Sequence, residues 1–298
     1  MMPPRSILAA VDFSESSRVS LDFAARLAAH CGVPLHVLHA QDLLLASAAS
    51  SRSIDLRRET RQELVRFTAH LSQVAKGTPI HHHVVTGHAT AVICDIAARE
   101  QVDLIVVGAH GISKVERAMF GSTTEGVLRR ADVSVFVVPD SWTPPRPETA
   151  DLSGMGPVVA AIESSCAALA GTAAACRLAD ALGTSVSAIH VVPDLPVLER
   201  WREHAHAAVL AQATRARQDI SAALVGLQTS SPVPLDVEIG SVPDRLAHAA
   251  TASGPHSILV LGRRPRTSQL GAPGATAYRV LALAQVPVLM HVTQESQD

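Results

Sequence analysis

The sequence predicts an α/β protein of two tandem domains, each a doubly wound sheet of five parallel strands. Three observations carry that prediction. The chain has 298 residues, more than one ordinary domain and suited to two. The pattern of its first half recurs in its second. Within each half, short β-branched apolar runs alternate with helical patterns, as βαβ crossovers require of a parallel sheet covered on both faces.

The repeat is read directly from the residues. Ser6 to Ser14 (SILAAVDFS) matches Pro157 to Ser165 (PVVAAIESS), an offset of 151 that carries Asp12 onto Glu163. The same offset carries Leu38-His39-Ala40 onto Ile189-His190-Val191. Gly87 meets Gly240 at 153, Leu104 to Gly108 meets Ile258 to Gly262 at 154, and Val133-Ser134-Val135 meets Val286-Pro287-Val288 at 153. Small slips fall where loops belong. The first copy occupies 1–140 and the second 155–298. Between them, 141–154 is rich in proline and polar residues and reads as an extended surface linker.

In the first copy, residues 6–11 read as a strand and 15–31 as an amphipathic helix with Ser14 as its N-cap. Residues 34–39 form a second strand, and a longer helix covers 55–76. His81 to Thr86 is the third strand, Ala89 to Glu100 a helix, and 103–107 the fourth strand. Thr123 to Arg130 is the last helix and 133–138 the last strand. Asp12, Ala40 and Gly108 fall just past strand ends, where such sheets bind ligands.

Composition narrows the function classes. Aromatics are 3% of residues and the formal charge is −2, so neither stacking platforms nor a polyphosphate footprint for nucleic acid is present. No stretch approaches the ~20 apolar residues of a membrane helix. Met1 to Arg5 leads straight into Ile7–Val11 without a leader-like apolar segment, which predicts a cytoplasmic protein. Cys31, Cys94, Cys166 and Cys176 lack CxxC spacing and read as buried free thiols.

The most telling stretch follows the run Leu104-Ile105-Val106-Val107. It reads Gly108-x2-Gly111-x9-Gly121-Ser122-Thr123. Glycines there let the backbone turn and approach a bound group, and amides opening a helix make an anion site. An ordinary strand-to-helix connection containing glycine fits the same spacing. Asp12 has two compatible readings as well: an acid favoured by a helix N-terminus, and an acceptor for ribose or adenine hydrogen bonds.

Taken together, Ala10-Val11-Asp12-Phe13-Ser14, Leu38-His39-Ala40, Thr86-Gly87, the glycine spacing and Val133-x-Val135-Phe136-Val137-Val138-Pro139 resemble the universal stress protein family in its tandem form. The resemblance covers 5–139 and, more weakly, 157–292. It implies a Rossmann-like sheet, ATP with accompanying Mg in the first copy, and a cytoplasmic stress-response role. By position, Ala10, Asp12 and Ala40 would border adenine and ribose, and Val107 and Gly108 would lie beside ribose and phosphates. Gly111, Gly121, Ser122 and Thr123 would hold the phosphates. His110 would reach the phosphates or point to solvent, and Lys114 and Arg117 would add charge or lie on a solvated helix face. The family also implies internal pairing of the copies through their last strands and a homodimer of chains.

The second copy departs from this pattern. Gly262-Arg263-Arg264-Pro265 puts proline where the second glycine belongs, which removes an amide donor. The following loop is one residue shorter and ends Gly274-Ala275-Thr276, so Ala275 replaces the hydroxyl of Ser122. Gly271, Pro273 and Gly274 mark a reshaped loop. The expectation is weak ATP binding or none here, with Arg263, Arg264 and Arg266 as guanidinium groups that could hold a different anion.

Catalytic and metal motifs do not emerge. There is no Gly-x-Ser-x-Gly elbow, lysine P-loop or recognisable nucleophile. His81 and His83 share one strand face and His82 the other, without a nearby Cys or carboxylate cluster, while His204 and His206 miss the i, i+4 spacing. Trp201 reads as packing. The leading reading is an ATP-binding regulatory protein that signals through nucleotide-dependent shape or partners. Its rivals are a slow ATPase and a nucleotide-free binding scaffold.

Overall fold

The computed structural model describes residues 3–52, 54–75, 77–111, 121–148, 152–163, 166–194, 199–227, 229, 232–263 and 273–292. The chain divides into two compact units between Gly154 and Met155.

In the first unit the β-branched runs become strands β1 (Ile7–Ala10), β2 (Leu35–Gln41), β3 (Ile80–Thr86), β4 (Leu104–Gly108) and β5 (Ser134–Val138). They form a parallel sheet in the order β3-β2-β1-β4-β5. Every residue of β4 is buried, which explains its unbroken apolar sequence. The chain steps outward from β1 to β2 and β3, then returns to the other side of β1 with β4. That reversal opens a crevice beyond the carboxyl ends of β1 and β4.

Helix α1 (Glu15–Cys31) packs on β1, β2, β4 and β5 through its alanine-rich face. Ser14 caps it by accepting from the Ser17 amide, and Gly32 ends it in the left-handed conformation at φ 66°. Phe23 from α1 stands edge-on to Phe136 of β5 at 5.0 Å and to Trp142 at 5.1 Å. The proline-rich segment after β5 is therefore not a free surface strap in its described part. Trp142 is buried, and the buried Arg26 guanidinium, paired with Asp22 at 2.9 Å, donates to the carbonyls of Arg146 and Pro147.

The helix expected over 55–76 is divided into α3 (Leu56–Phe67) and α4 (Leu71–Val74), preceded by α2 (Leu43–Ser50). Two polar side chains account for the change. Asp42 accepts from the amides of Leu44 and Leu45 and starts α2. Thr68 turns its hydroxyl back onto the Leu64 carbonyl at 2.9 Å and meets His82 Nε2 at 2.7 Å, which fixes the end of α3 against β3. Helices α5 (Ala89–Arg99) and α6 (Ser122–Arg130) complete the unit.

The second unit repeats this plan with β6 (Val158–Ala161), β7 (Val186–Val192), β8 (Leu235–Ile239), β9 (Ile258–Arg263) and β10 (Val288–Val292) in the parallel order β10-β9-β6-β7-β8. Its helices are α7 (Cys166–Leu182), α8 (Arg202–Val225), α9 (Val242–Ala252) and α10 (Ala275–Leu283). The 24-residue α8 takes the place that three short helices fill in the first unit. Among the described residues, no helix is long and apolar enough to cross a membrane.

Candidate functional site

The crevice of the first unit is built from the end of β1, the end of β4 and the start of α6. The Val11 amide donates to the Leu38 carbonyl at 2.8 Å, which delivers Asp12 to the crevice. Asp12 Oδ1 accepts from the Ser14 amide at 3.0 Å and from its hydroxyl at 2.5 Å. The carboxylate thus orders the turn into α1, as its helix-terminus reading requires. Its second oxygen lies against Gly111, where an added Cβ would come within 2.9 Å.

Gly108 has a steric reason that spacing alone does not reveal. A Cβ there would sit 2.5 Å from Ser16 Oγ and 3.1 Å from the Ser16 carbonyl, so the first turn of α1 rests on bare backbone. The Ser16 hydroxyl then accepts from the His110 amide at 3.4 Å, and Thr124 Oγ1 of α6 donates to the Gly108 carbonyl at 2.8 Å. The Gly121 amide donates to the Ala109 carbonyl at 3.2 Å, which brings the far end of the loop back to its start. At Gly121 the nearest atoms that an added Cβ would meet are the Gly111 nitrogen at 3.6 Å, the His110 carbonyl carbon at 3.7 Å and the Ala109 oxygen at 3.8 Å. As N-cap, Gly121 offers α6 no side-chain acceptor, so the amides that open this helix are capped by no side chain of that residue.

Of the residues singled out in the sequence, Asp12, Gly108, His110, Gly111 and Gly121 come together around this backbone. Ser122 and Thr123 open α6, the first exposed and the second half-buried. Ala10, Ala40 and Val107 lie at the same edge of the sheet, on β1, β2 and β4. His110 turns Nδ1 toward Asp140 Oδ2 at 3.6 Å. Lys114 and Arg117 lie outside the described residues, as do Arg264, Pro265, Arg266 and Gly271.

Ser16 and Thr124 escaped the sequence reading, and Phe13 and His39 entered it only as members of motifs, without a role. His39 donates Nδ1–H to the Val11 carbonyl at 2.9 Å, clasping β2 to the end of β1. Burial holds its imidazole below the usual histidine range, so it is neutral at pH 7. Phe13, at φ 65°, stacks on that ring at 4.4 Å and meets Phe67 edge-on at 5.4 Å. The repeat held a signal, because His190 makes the same bond to the Ile162 carbonyl at 2.8 Å. Elsewhere His36 and His83 share a 2.9 Å nitrogen-to-nitrogen hydrogen bond. Among the described residues, no three His, Cys, Asp or Glu side chains converge as a metal site.

Fold and crevice together define a tandem, doubly wound α/β protein with a glycine-walled recess at its topological switch point. Residues 4–139 match the model of the universal stress protein family. Over 298 aligned residues the chain is 24% identical to universal stress protein Rv2623 of Mycobacterium tuberculosis, covering 95% of each chain. A universal stress protein of Methanocaldococcus jannaschii is 27% identical over 154 residues, 45% of this chain and 94% of that one. Among solved structures, a universal stress protein from Archaeoglobus fulgidus superposes with a TM-score of 0.64 at 20% identity, covering 98% of this chain and 99% of that one. A protein from Pseudomonas aeruginosa gives 0.61 at 18%, covering 97% and 93%. The chain is thus similar to the universal stress protein family, its first unit through the match to the family model and its whole length through the tandem relative.

Proposed function

We propose that the first unit binds ATP and that the protein acts as a nucleotide-responsive regulator in a stress response. The observation that carries this reading is the bare wall formed by Gly111 and Gly121 beside the opening turn of α6. Glycine at both places keeps Cβ atoms out of the space in front of the amides, and the helix N-terminus favours a phosphate there. Ser122 and Thr123 would add hydroxyl donors. Asp12, its outer oxygen beside Gly111, would accept from the ribose, with Ala10, Ala40 and Val107 leaving flat apolar room for the base. His110 would stand beside the phosphates, and Mg would neutralise part of their charge. In the second unit, Ala275 in place of Ser122 supports weak ATP binding or none, and the chain would assemble as a homodimer.

Calorimetric titration of the full chain with ATP tests this. One nucleotide per chain is expected, with affinity sharply reduced by Gly121→Ala. Absence of binding, or binding indifferent to that substitution, overturns the reading.

A further inference from the structure

The second unit holds a cavity of about 640 Å³ at the position that the crevice occupies in the first, lined by the ends of β6, β7, β9 and β10 and by α9 and α10. That volume suits a small organic ligand. Its walls have changed consistently between the two copies. Where the first unit has Ala40, Val107 and Val137, the second presents Val191, Leu261 and Met290. Where α6 begins with the hydroxyls of Ser122 and Thr124, α10 begins with the methyls of Ala275 and Ala277. Leu246 and Val280, both buried, close the apolar side.

One substitution runs the other way. Arg263 stands where the first unit has Ala109, and it lines the cavity while only 5% exposed. A guanidinium stays charged at any physiological pH and pairs with a carboxylate through two parallel hydrogen bonds. Glu163 also lines the cavity but is exposed, so water weakens its influence on a ligand inside. Arg263 brings a guanidinium to a wall that is apolar along Leu246, Leu261, Val280 and Met290 and polar at His190, Gln212 and Thr276.

We propose that this cavity binds an amphipathic organic anion, its apolar body against Leu246, Leu261, Val280 and Met290 and its carboxylate on Arg263. Thr276 keeps the hydroxyl of Thr123, while the two hydroxyls lost at Ala275 and Ala277 and the enlarged side chains turn the cavity away from nucleoside triphosphates. The site is independent of ATP binding in the first unit.

The test uses the full chain, as wild type and as Gly121→Ala, titrated calorimetrically with octanoate, octylammonium and ATP. Octanoate is expected to bind once per chain, equally in both proteins, and about tenfold or more tighter than octylammonium, the worth of a charge-assisted contact. Arg263→Met should erase that preference. Leu246→Trp, which fills the cavity, should abolish octanoate binding, and it keeps the test decisive if Arg263→Met does not fold. Equal binding of the two octyl compounds overturns the proposal, as does octanoate binding that survives Leu246→Trp or is displaced by ATP in Gly121→Ala. Failure of ATP binding in the wild type would count against the first site alone.

Discussion

Gly121→Ala separates the ligand's need for glycine from the fold's. A methyl at Gly121 would meet its neighbours at 3.6–3.8 Å, ordinary contact distances, and the residue has φ −57°, which alanine adopts readily. Two small effects on stability oppose each other. Alanine is a poorer N-cap than glycine, a loss of roughly 0.5–1 kcal/mol. It also restricts the unfolded chain, a gain of about 0.4–1 kcal/mol. The net change should lie within about 0.5 kcal/mol of zero, read from urea unfolding midpoints. The same methyl stands over the Gly111 nitrogen, in the space a phosphate would need. Loss of one charge-assisted amide contact is worth about 1.5–3 kcal/mol, or roughly ten- to a hundredfold in affinity. Calorimetric titration with ATP measures it. A variant that loses more than about 2 kcal/mol of stability would show that glycine is required here by packing and not by a ligand.

Gly108→Ala should behave in the opposite way. Its methyl would collide with Ser16 at 2.5 Å, so the fold should lose about 1–3 kcal/mol, and Ser16→Gly in the same chain should restore part of it in thermal melts. Thr124→Val removes the hydroxyl that holds the Gly108 carbonyl and should cost about 1 kcal/mol in urea unfolding, with near-wild-type volume. Acid should weaken the whole fold. His36, His39, His82 and His83 are held by burial below the free-histidine value of 6.5, so below that pH the unfolded chain takes up protons the folded chain refuses. Stability should be flat above pH 6.5 and fall progressively as the pH drops beneath it; melting temperatures between pH 8 and 4 check this, and an unchanged midpoint would contradict it.

The central strands were legible because β4, β5 and β10 are buried throughout and so carry apolar runs, as Leu104 to Val107 show. Helix boundaries were less so. The division at Thr68 depends on a hydroxyl bonded to His82 across sequence, a tertiary contact that periodicity does not register. Trp142 was hidden among prolines, and its burial against Phe23 needed the fold. In the crevice, Asp12 and the three glycines stood out by spacing, whereas Ser16 did not. Ser14, Ser16 and Ser17 look alike in sequence, and only the docking of α1 on β4 selects one of them to face Gly108. Phe13 stood in a motif but received no role, because a left-handed backbone at a bulky residue has no local signature.

The imidazole clasp on the first two strands of each unit is the same bond made twice, although the loops beyond it have diverged. Architecture and selectivity are thereby decoupled. A duplicated chain can rewrite the lining of one recess, methyl by methyl, while the clasp of His39 and that of His190 stay fastened.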